Sequence, residues 1–154
     1  MYTPGTRYMP LHCIRSLKDP LIKLLADDPV RPEIPWEFRV GLNTEVFVLV
    51  GDNGENQAVI CAAYRSLVPS NVVELAMDPE TDAHVAVFYT LWSYESGAGR
   101  RLIRAARAHI QENRTSIKKF VTLSPPTDMA RVFHIRNGAE VFRINPDTVN
   151  YLYP

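Results

Sequence analysis

The chain has 154 residues, a length that suits one domain with a single buried core, and we predict that residues 1–154 form that domain. Apolar residues make up 46% and charged residues 22% of the chain, which is typical of soluble globular proteins and excludes the disordered and fibrous classes. The net charge is zero, but residues 100–143 hold ten basic and three acidic side chains, whereas the remainder holds seven and fourteen. This distribution argues against general nucleic-acid binding and allows an anionic ligand on one side.

The first 43 residues are rich in proline, and we predict only one short helix among them. In the segment DPLIKLLADDP, Asp19 is a typical N-cap, Pro20 suits the first helical position, and Pro29 follows the end of the helix. Residues 30–42 are predicted as extended chain or loop. Most of the regular structure should therefore lie after this region.

A β-hairpin is predicted next, followed by a segment that the pattern leaves open. Residues 44–50 and 57–66 are rich in strand-forming residues, and the turn-forming stretch GDNGEN separates them. Residues 68–83 fit a short helix or a strand. The run HVAVFYTLWS, residues 84–93, is apolar almost throughout, so we expect it to form a strand in the middle of the sheet.

The last part of the chain alternates helices and strands. A glycine turn leads into a helix that should end near Asn113, and the apolar positions of this helix lie at helical spacing: Leu102, Ile103, Ala106 and Ile110. Residues 118–124 predict a strand parallel to the central one, because a helix connects the two. Thr127 is a good N-cap for a second helix that ends at Gly138, and residues 139–153 predict a closing hairpin.

Two glycines and two arginines stand where the central strand gives way to the first of these helices. Arg100 and Arg101 fall at the positive end of the helix, where cations are unfavourable unless an anion is bound. The amides around Gly97 and Gly99 offer a phosphate cradle, and the alternative is a plain turn with both arginines in solvent. A dinucleotide fingerprint is incomplete because Leu102 occupies its third glycine position, and the Gly-Lys-Ser/Thr of a triphosphatase loop is missing from the sequence.

The order of elements over residues 44–154, together with two motifs, resembles the GNAT superfamily of acyl-CoA-dependent N-acyltransferases. YESGAGRRLI is similar to the family's pattern Gln/Arg-x-x-Gly-x-Gly/Ala, and ARVFHIRNGA is similar to its helix pattern Ala-x-x-Phe-Tyr-x-x-x-Gly-Phe/Ala. The resemblance implies an α/β (α+β) fold with a mixed, mostly antiparallel sheet, helices on both faces and a splayed central pair of parallel strands. FYTLWS and SPPTDMARVFHIRNGA also resemble GNAT-like proteins of marine bacteriophages, which implies a location in the host cytoplasm.

The same resemblance implies that acetyl-CoA is the cosubstrate. In the family, amides of the glycine turn hold the pyrophosphate of coenzyme A, and the end of the central strand pairs with the pantetheine arm. Carried over to this sequence, the expected cofactor-binding residues are Leu91, Trp92, Ser93, Ser96, Gly97, Ala98, Gly99, Arg100 and Arg101.

Two residues depart from the family's pattern. Tyr94 stands where the pattern has Gln or Arg, which removes one side-chain contact to the cofactor and leaves the amide cradle intact. His134 stands where many members have the tyrosine that protonates the leaving thiolate. A histidine can act as a general acid near neutral pH, and the alternative is a packed or solvent-facing helix residue.

The implied reaction is direct attack of a neutral amine on the thioester, with backbone amides polarising the carbonyl. His134 and Glu74 are our catalytic candidates, as acid and base, and Glu45 is a second candidate base because it too borders a β-type segment. The acidic remainder of the chain suggests a cationic amine, on a small molecule or a protein. The alternatives are a non-catalytic binding or structural module and a coenzyme A sensor without turnover.

No metal site, disulfide, membrane contact or export signal is expected. Cys13 and Cys61 lie far apart, and the histidines show no metal-ligand spacing with them or with one another. The apolar runs are too short to cross a bilayer, and the N-terminal residues lack the pattern of a secretion signal, so we expect a cytoplasmic protein. The aromatic end VNYLYP suggests a strand edge that pairs two copies into a homodimer.

Overall fold

The computed structural model describes residues 10–78 and 82–154, which form one seven-stranded sheet with helices on both faces. The strands are β1 (Leu11–Ile14), β2 (Thr44–Val50), β3 (Asn56–Arg65), β4 (Val85–Ser93), β5 (Lys119–Thr122), β6 (Glu140–Ile144) and β7 (Val149–Tyr153). The helices are a 3₁₀ helix (Pro20–Asp27), α1 (Trp36–Arg39), α2 (Val72–Leu75), α3 (Ala98–Asn113) and α4 (Asp128–Arg136). The strand order is β1-β2-β3-β4-β5-β7-β6, and the β4–β5 pair alone is parallel among these neighbours. The predicted α/β fold class is confirmed.

A separate apolar core fills each face of the sheet. On one face α3 buries the four predicted apolar positions, Leu102, Ile103, Ala106 and Ile110, against the strands. On the other face the 3₁₀ helix contributes Leu24 and Leu25, and the chain that follows contributes Ile34. The strands supply alternate residues to the two cores, which explains why the central strand is apolar at nearly every position.

The parallel strands β4 and β5 separate halfway along β4. Residues 85–88 pair with β5, and the Leu123 N–H donates to the Phe88 carbonyl oxygen at 3.0 Å where the pairing ends. Tyr89 is an extra residue at a β-bulge, since Cys61 of β3 lies opposite Thr90 and the next residue lies opposite Phe88. Beyond the bulge β4 runs beside β3 while β5 turns away, which opens a cleft at this end of the sheet.

Most predicted elements are confirmed at nearly the predicted bounds. The first hairpin, the central strand, the long helix, the parallel strand, the capped second helix and the closing hairpin are all present. Thr127 caps α4 by accepting a hydrogen bond from the Ala130 N–H, and Asp19 caps the 3₁₀ helix by accepting one from the Leu21 N–H. The undecided segment 68–83 contains α2, although residues 79–81 lie outside the described part of the chain.

Two expectations about the edges of the sheet differ from the structure. The segment 30–42, expected to be extended chain or loop, contains the short helix α1. Leu11–Ile14 forms the edge strand β1, which was not expected from the sequence. The proposed dimer edge at VNYLYP is wrong, because β7 pairs with β5 on one side and with β6 on the other. The exposed edge on that side belongs to β6. In the described ranges, no helix combines the length and the apolar character that a membrane crossing needs.

Candidate active site

The separation of β4 and β5 produces a cleft of about 360 Å³. Leu91, Trp92 and Ser93 of β4 form one wall, and residues 123–125 after β5 form the opposite wall. Helices α3 and α4 cover the cleft with a largely apolar set of side chains: Ile103, Met129, Ala130, Phe133 and His134. The three strand residues expected to contact a pantetheine arm therefore line one continuous cleft.

The end of β4 directs unpaired backbone groups into this cleft. In an antiparallel pair, alternate residues turn their N–H and C=O groups toward the same neighbouring strand. The Tyr94 N–H donates to the Gln57 carbonyl oxygen at 2.8 Å, so Trp92 faces β3 in the same way. Leu91 and Ser93 consequently turn their backbone groups to the other side, where β5 has diverged. A ligand with amide groups can pair with them as a strand would.

The glycine turn lies at the same end of β4 and begins α3. Gly97 is the N-cap residue, with a φ of 80° that an L side chain rarely adopts. Gly99 lies in the first turn and lines the cleft, and a Cβ placed on it would approach Phe133 Cε1 to 3.3 Å. The first-turn amides of α3 have no helical acceptor, and Ser96 beside them is exposed. Both glycines thus keep backbone within reach of a ligand.

The two arginines of this turn remain available to an anion. Arg100 is exposed, and Arg101 folds back so that its Nη2 donates to Gln57 Oε1 at 3.3 Å. Among the described residues neither arginine forms an ion pair with a carboxylate. Two cations therefore lie beside the first-turn amides at the positive end of α3, where Ala98 is buried.

Tyr94 has a structural partner of its own at the departure from the family's pattern. Its hydroxyl donates to Asp27 Oδ2 at 2.6 Å and accepts a hydrogen bond from Trp92 Nε1 at 3.1 Å. The carboxylate holds the phenol in its neutral form, because burial and this hydrogen bond raise the pKa of Tyr94. Tyr94 thus ties the glycine turn to the end of the 3₁₀ helix.

His134 lines the cleft from α4 and is only 8% exposed. Its Nδ1 lies 2.7 Å from the Tyr153 hydroxyl, and its ring stacks on Tyr151 with centroids 5.1 Å apart. Burial lowers the pKa of His134 to about 4, so the ring is neutral at physiological pH. The sequence left open whether His134 acts at the active site or is a packed helix residue. In the structure His134 is packed and also lines the cleft.

Neither glutamate proposed as a base lies at the cleft. Glu74 is exposed on α2, where it accepts hydrogen bonds from the backbone N–H and hydroxyl of Ser70, and it lines a different pocket at the opposite end of the sheet. Glu45 lies at the start of β2, also away from the cleft, and pairs with Arg15 and Arg114. The strand directions explain both results. The start of β2 and the C-terminal end of β3 lie beside the start of β4, whereas the cleft lies at the other end of β4.

The sequence analysis missed Asp28, whose carboxylate organises one wall of the cleft. Its Oδ1 accepts hydrogen bonds from the hydroxyl of Thr90 at 2.8 Å and from two backbone N–H groups, and its Oδ2 accepts one from Arg39 Nη1 at 2.7 Å. Both charged groups are almost fully buried. The motif Asp-Asp-Pro was interpreted as the end of a helix, and only the tertiary fold brings Asp28 beside the bulge of β4.

Solved structures similar to this chain include malonyl-CoA decarboxylases and acetyltransferases. A malonyl-CoA decarboxylase from Rhodopseudomonas palustris matches with a TM-score of 0.76 and 18% identity, over 94% of this chain and 59% of that one. A protein of Desulfovibrio desulfuricans assigned to the GNAT acetyltransferase family matches with a TM-score of 0.62 and 12% identity, over 94% and 98% of the two chains. The N-acetyltransferase PseH of Campylobacter jejuni matches with a TM-score of 0.61 and 10% identity, over 94% and 96%.

These similarities establish the fold of the chain. This chain spans 59% of the decarboxylase's length, and its identity to each of the three proteins is low. No protein-family profile matches the sequence, and no curated protein is similar to it in sequence. The chain therefore has the fold of GNAT acetyltransferases, which malonyl-CoA decarboxylases share.

Proposed function

We propose that this protein binds an acyl-CoA thioester, with acetyl-CoA as the first to test, and transfers the acyl group to an amine. The observation that carries the proposal is the cleft between β4 and β5 beside the glycine turn of α3. A narrow slot with free backbone groups suits the two amides of pantetheine, and the adjacent positive helix end suits a pyrophosphate. Both features occur at the same end of the same strand.

Residues of the glycine turn would bind the phosphates. The first-turn amide of Gly99 would donate to the anion, while Arg100 and Arg101 would neutralise its charge; the Ala98 N–H already donates to the Glu95 carbonyl oxygen at 3.1 Å. Arg101 only has to exchange a weak contact with Gln57 for an ion pair with a phosphate. The local excess of positive charge, unfavourable at a helix start, becomes favourable once the anion is bound.

The proposed reaction is a direct attack of a neutral amine on the thioester carbonyl. The new carbon–nitrogen bond forms, the carbon–sulfur bond breaks, and the released thiolate takes up the proton that the amine loses. A backbone N–H at the end of β4 would polarise the carbonyl oxygen, and Leu91 and Ser93 both direct such a group to the cleft side. The cleft walls are mostly apolar, which strengthens this hydrogen bond by excluding water.

His134 would serve the leaving group as a hydrogen-bond donor. When the Tyr153 hydroxyl donates to Nδ1, the ring proton resides on Nε2, which can then donate to the sulfur atom. Because burial lowers its pKa to about 4, His134 carries no extra proton at neutral pH. His134 therefore donates a hydrogen bond to the sulfur atom and no net proton, and the thiolate takes up the proton that the amine loses. The glutamate base expected from the sequence has no counterpart in this scheme.

A second candidate is an acyl-CoA-binding protein without turnover. Two observations favour it: the histidine of the cleft is neutral, and the described residues that line the cleft include no carboxylate. Both candidates require binding of the thioester, so release of free thiol in the presence of amines distinguishes them. The cytoplasmic location, the likeness to phage proteins and the homodimer stay predictions.

The first experiment is thermal unfolding with and without acetyl-CoA. A ligand at ~100 times its Kd stabilises the native state by about 2.7 kcal/mol, which corresponds to a readily measured rise in Tm. The rise should disappear in the double variant Arg100→Ala, Arg101→Ala. It should persist in Lys23→Ala, Arg136→Ala, which removes two exposed charges elsewhere. If acetyl-CoA left the Tm of the parent protein unchanged, the proposal would be disproved. If both double variants lost the rise in Tm equally, the rise would depend on net charge and not on the glycine turn.

A further inference from the structure

Three potential metal ligands meet on the face of the sheet that α3 covers. Cys13 of β1, Glu45 of β2 and His109 of α3 each offer one ligand atom, and these atoms lie within 4.8 Å of one another. Cys13 Sγ and His109 Nε2 are 3.9 Å apart. The sequence gives no spacing signal, because the three residues are distant along the chain and come together only when β1 joins the sheet.

We propose that Cys13, Glu45 and His109 bind one Zn²⁺ ion, with water as the fourth ligand. Thiolate, imidazole and carboxylate are all accepted zinc ligands, and three protein ligands with one open position form a common tetrahedral set. Tetrahedral zinc with typical bond lengths places sulfur and nitrogen ligands about 3.5 Å apart. The observed separation of 3.9 Å requires only a small movement of either side chain.

Glu45 retains the capacity to bind the ion. Its Oε1 accepts hydrogen bonds from the Tyr64 hydroxyl at 2.6 Å and from Arg114 Nε at 3.3 Å. Within residues 10–78 and 82–154, Oε2 accepts only one, from Arg15 Nε at 3.2 Å. A carboxylate oxygen has two lone pairs, so Oε2 has one to offer. Arg15 has a side chain that is 65% exposed and can move into solvent as the metal enters.

The charges around the cluster give the proposal a distinctive signature. Arg15 and Arg114 form ion pairs with Glu45 and repel a cation. Both arginines therefore weaken the binding of zinc at the neighbouring cluster. Removal of Arg15 should therefore tighten zinc binding. If Glu45 were only an ion-pair partner, removal of Arg15 would change stability alone. Zinc binds the thiolate form of cysteine, so the ion must displace the Cys13 thiol proton into solvent.

The position of the cluster separates it from the acyl-CoA cleft. His109 lies ten residues after Gly99 along α3, which corresponds to about 15 Å at 1.5 Å per residue. The His109 ring packs against Phe47 with centroids 5.4 Å apart, so the helix is already held over β2 at this point. A bound ion would tie the edge strand β1 to α3. This inference does not depend on the proposed function.

The experiment is equilibrium dialysis of the full chain against ZnCl₂, with calorimetric titration in buffers of different ionisation enthalpy. We expect one zinc per chain and the release of one proton, which is the Cys13 thiol proton. Cys13→Ser and His109→Gln should each weaken binding by at least about tenfold, and Cys13→Ser should also abolish the proton release. The unfolding curve without metal shows that each variant is folded.

The controls decide between this site and adventitious binding. His84→Gln removes an exposed histidine elsewhere and should leave zinc binding unchanged. Arg15→Gln should bind zinc more tightly than the parent chain. Binding that is absent in the parent chain, or that survives Cys13→Ser and His109→Gln at equal affinity, would overturn the proposal. Unchanged or weaker binding by Arg15→Gln would overturn the role assigned to Glu45 Oε2.

Discussion

Replacement of Asp28 by asparagine should destabilise the protein severely. The carboxylate accepts four hydrogen bonds, three at Oδ1 and one at Oδ2, and Arg39 is its only oppositely charged partner at hydrogen-bond distance among the residues that the structure describes. Asparagine has the same shape but one donor group in place of an acceptor. If the amide NH₂ takes the position of Oδ2, it faces the Arg39 guanidinium, and if it takes the position of Oδ1, it faces the three other donors. In both orientations two buried hydrogen-bond donors face each other without an acceptor.

The magnitude follows from the burial of the pair. The side chains of Arg39 and Asp28 are 1% and 0% exposed, so the substitution leaves a guanidinium in the core without its counter-charge. Breaking a buried ion pair on one side costs about 3–5 kcal/mol. A domain of this size has roughly 5–15 kcal/mol of stability in total, and each kcal/mol lowers Tm by about 2–4 °C. We therefore expect Asp28→Asn to lower Tm by roughly 6–20 °C.

Urea unfolding at neutral pH measures this loss directly. Asp52→Asn is the matched control, because Asp52 is exposed in the β2–β3 turn and should change the free energy of unfolding by less than about 0.5 kcal/mol. The double variant Asp28→Asn, Arg39→Met removes the stranded charge and should recover part of the loss. A loss below about 1 kcal/mol for Asp28→Asn would refute the reasoning, as would a double variant less stable than the single one.

Two further predictions concern the glycine turn and the buried histidine. Gly97→Ala and Gly54→Ala each force an alanine into positive φ, at 80° and 84°, and each should cost about 1–2 kcal/mol. Only Gly97→Ala should also weaken acetyl-CoA binding, and equal weakening by both would contradict the phosphate cradle. Because burial lowers the His134 pKa to about 4, below the unfolded value of about 6.5, only the unfolded chain binds this proton between these pH values. Stability should fall by roughly 3 kcal/mol as pH drops through this window, and urea unfolding at both ends should show a smaller fall in His134→Asn.

The sequence predicts the elements of this fold well where local pattern decides them. The amphipathic spacing of α3, the cap at Thr127 and the apolar run of β4 are visible in the residues themselves. Strand order is not local, so the insertion of β7 between β5 and β6 escapes such reasoning and the wrong strand is assigned to the edge. The same limit applies to β1, which is four residues long and is defined by its hydrogen bonds to β2 and not by its own sequence pattern.

The same distinction between local pattern and tertiary structure applies to the residues of the candidate site. The residues predicted to bind the cofactor, from Leu91 to Arg101, lie together because one strand and one turn carry them, and their role stays a prediction. The base could not be located, because Glu74 was chosen for its place beside a β-type segment and the strand direction puts it at the far end of the sheet. Asp28 was equally invisible, since its four hydrogen bonds are set by tertiary contacts with β4 and α1.

If the proposed function is correct, the residues that line the cleft determine the protonation state in which the acceptor amine must bind. Within the described residues, the titratable groups that line it are His134, which is neutral, and Tyr89, whose pKa burial raises. With no carboxylate there to remove a proton, the acceptor must arrive in its neutral form. The logarithm of kcat/KM should then rise with unit slope up to the pKa of the free amine.

Two acceptors with different basicity make the test quantitative. An α-amino group has a pKa of about 7.8 and a lysine side chain about 10.4, so at pH 7.5 the neutral fractions differ by roughly 250-fold. The pH profile should level off near 8 for the first acceptor and continue to rise above pH 9 for the second. A profile for the lysine-type amine that levels off near pH 7 would require a base in the enzyme with a pKa near that value. Such a profile would contradict the reasoning, because the pKa of His134 is about 4 and the described lining of the cleft holds no carboxylate.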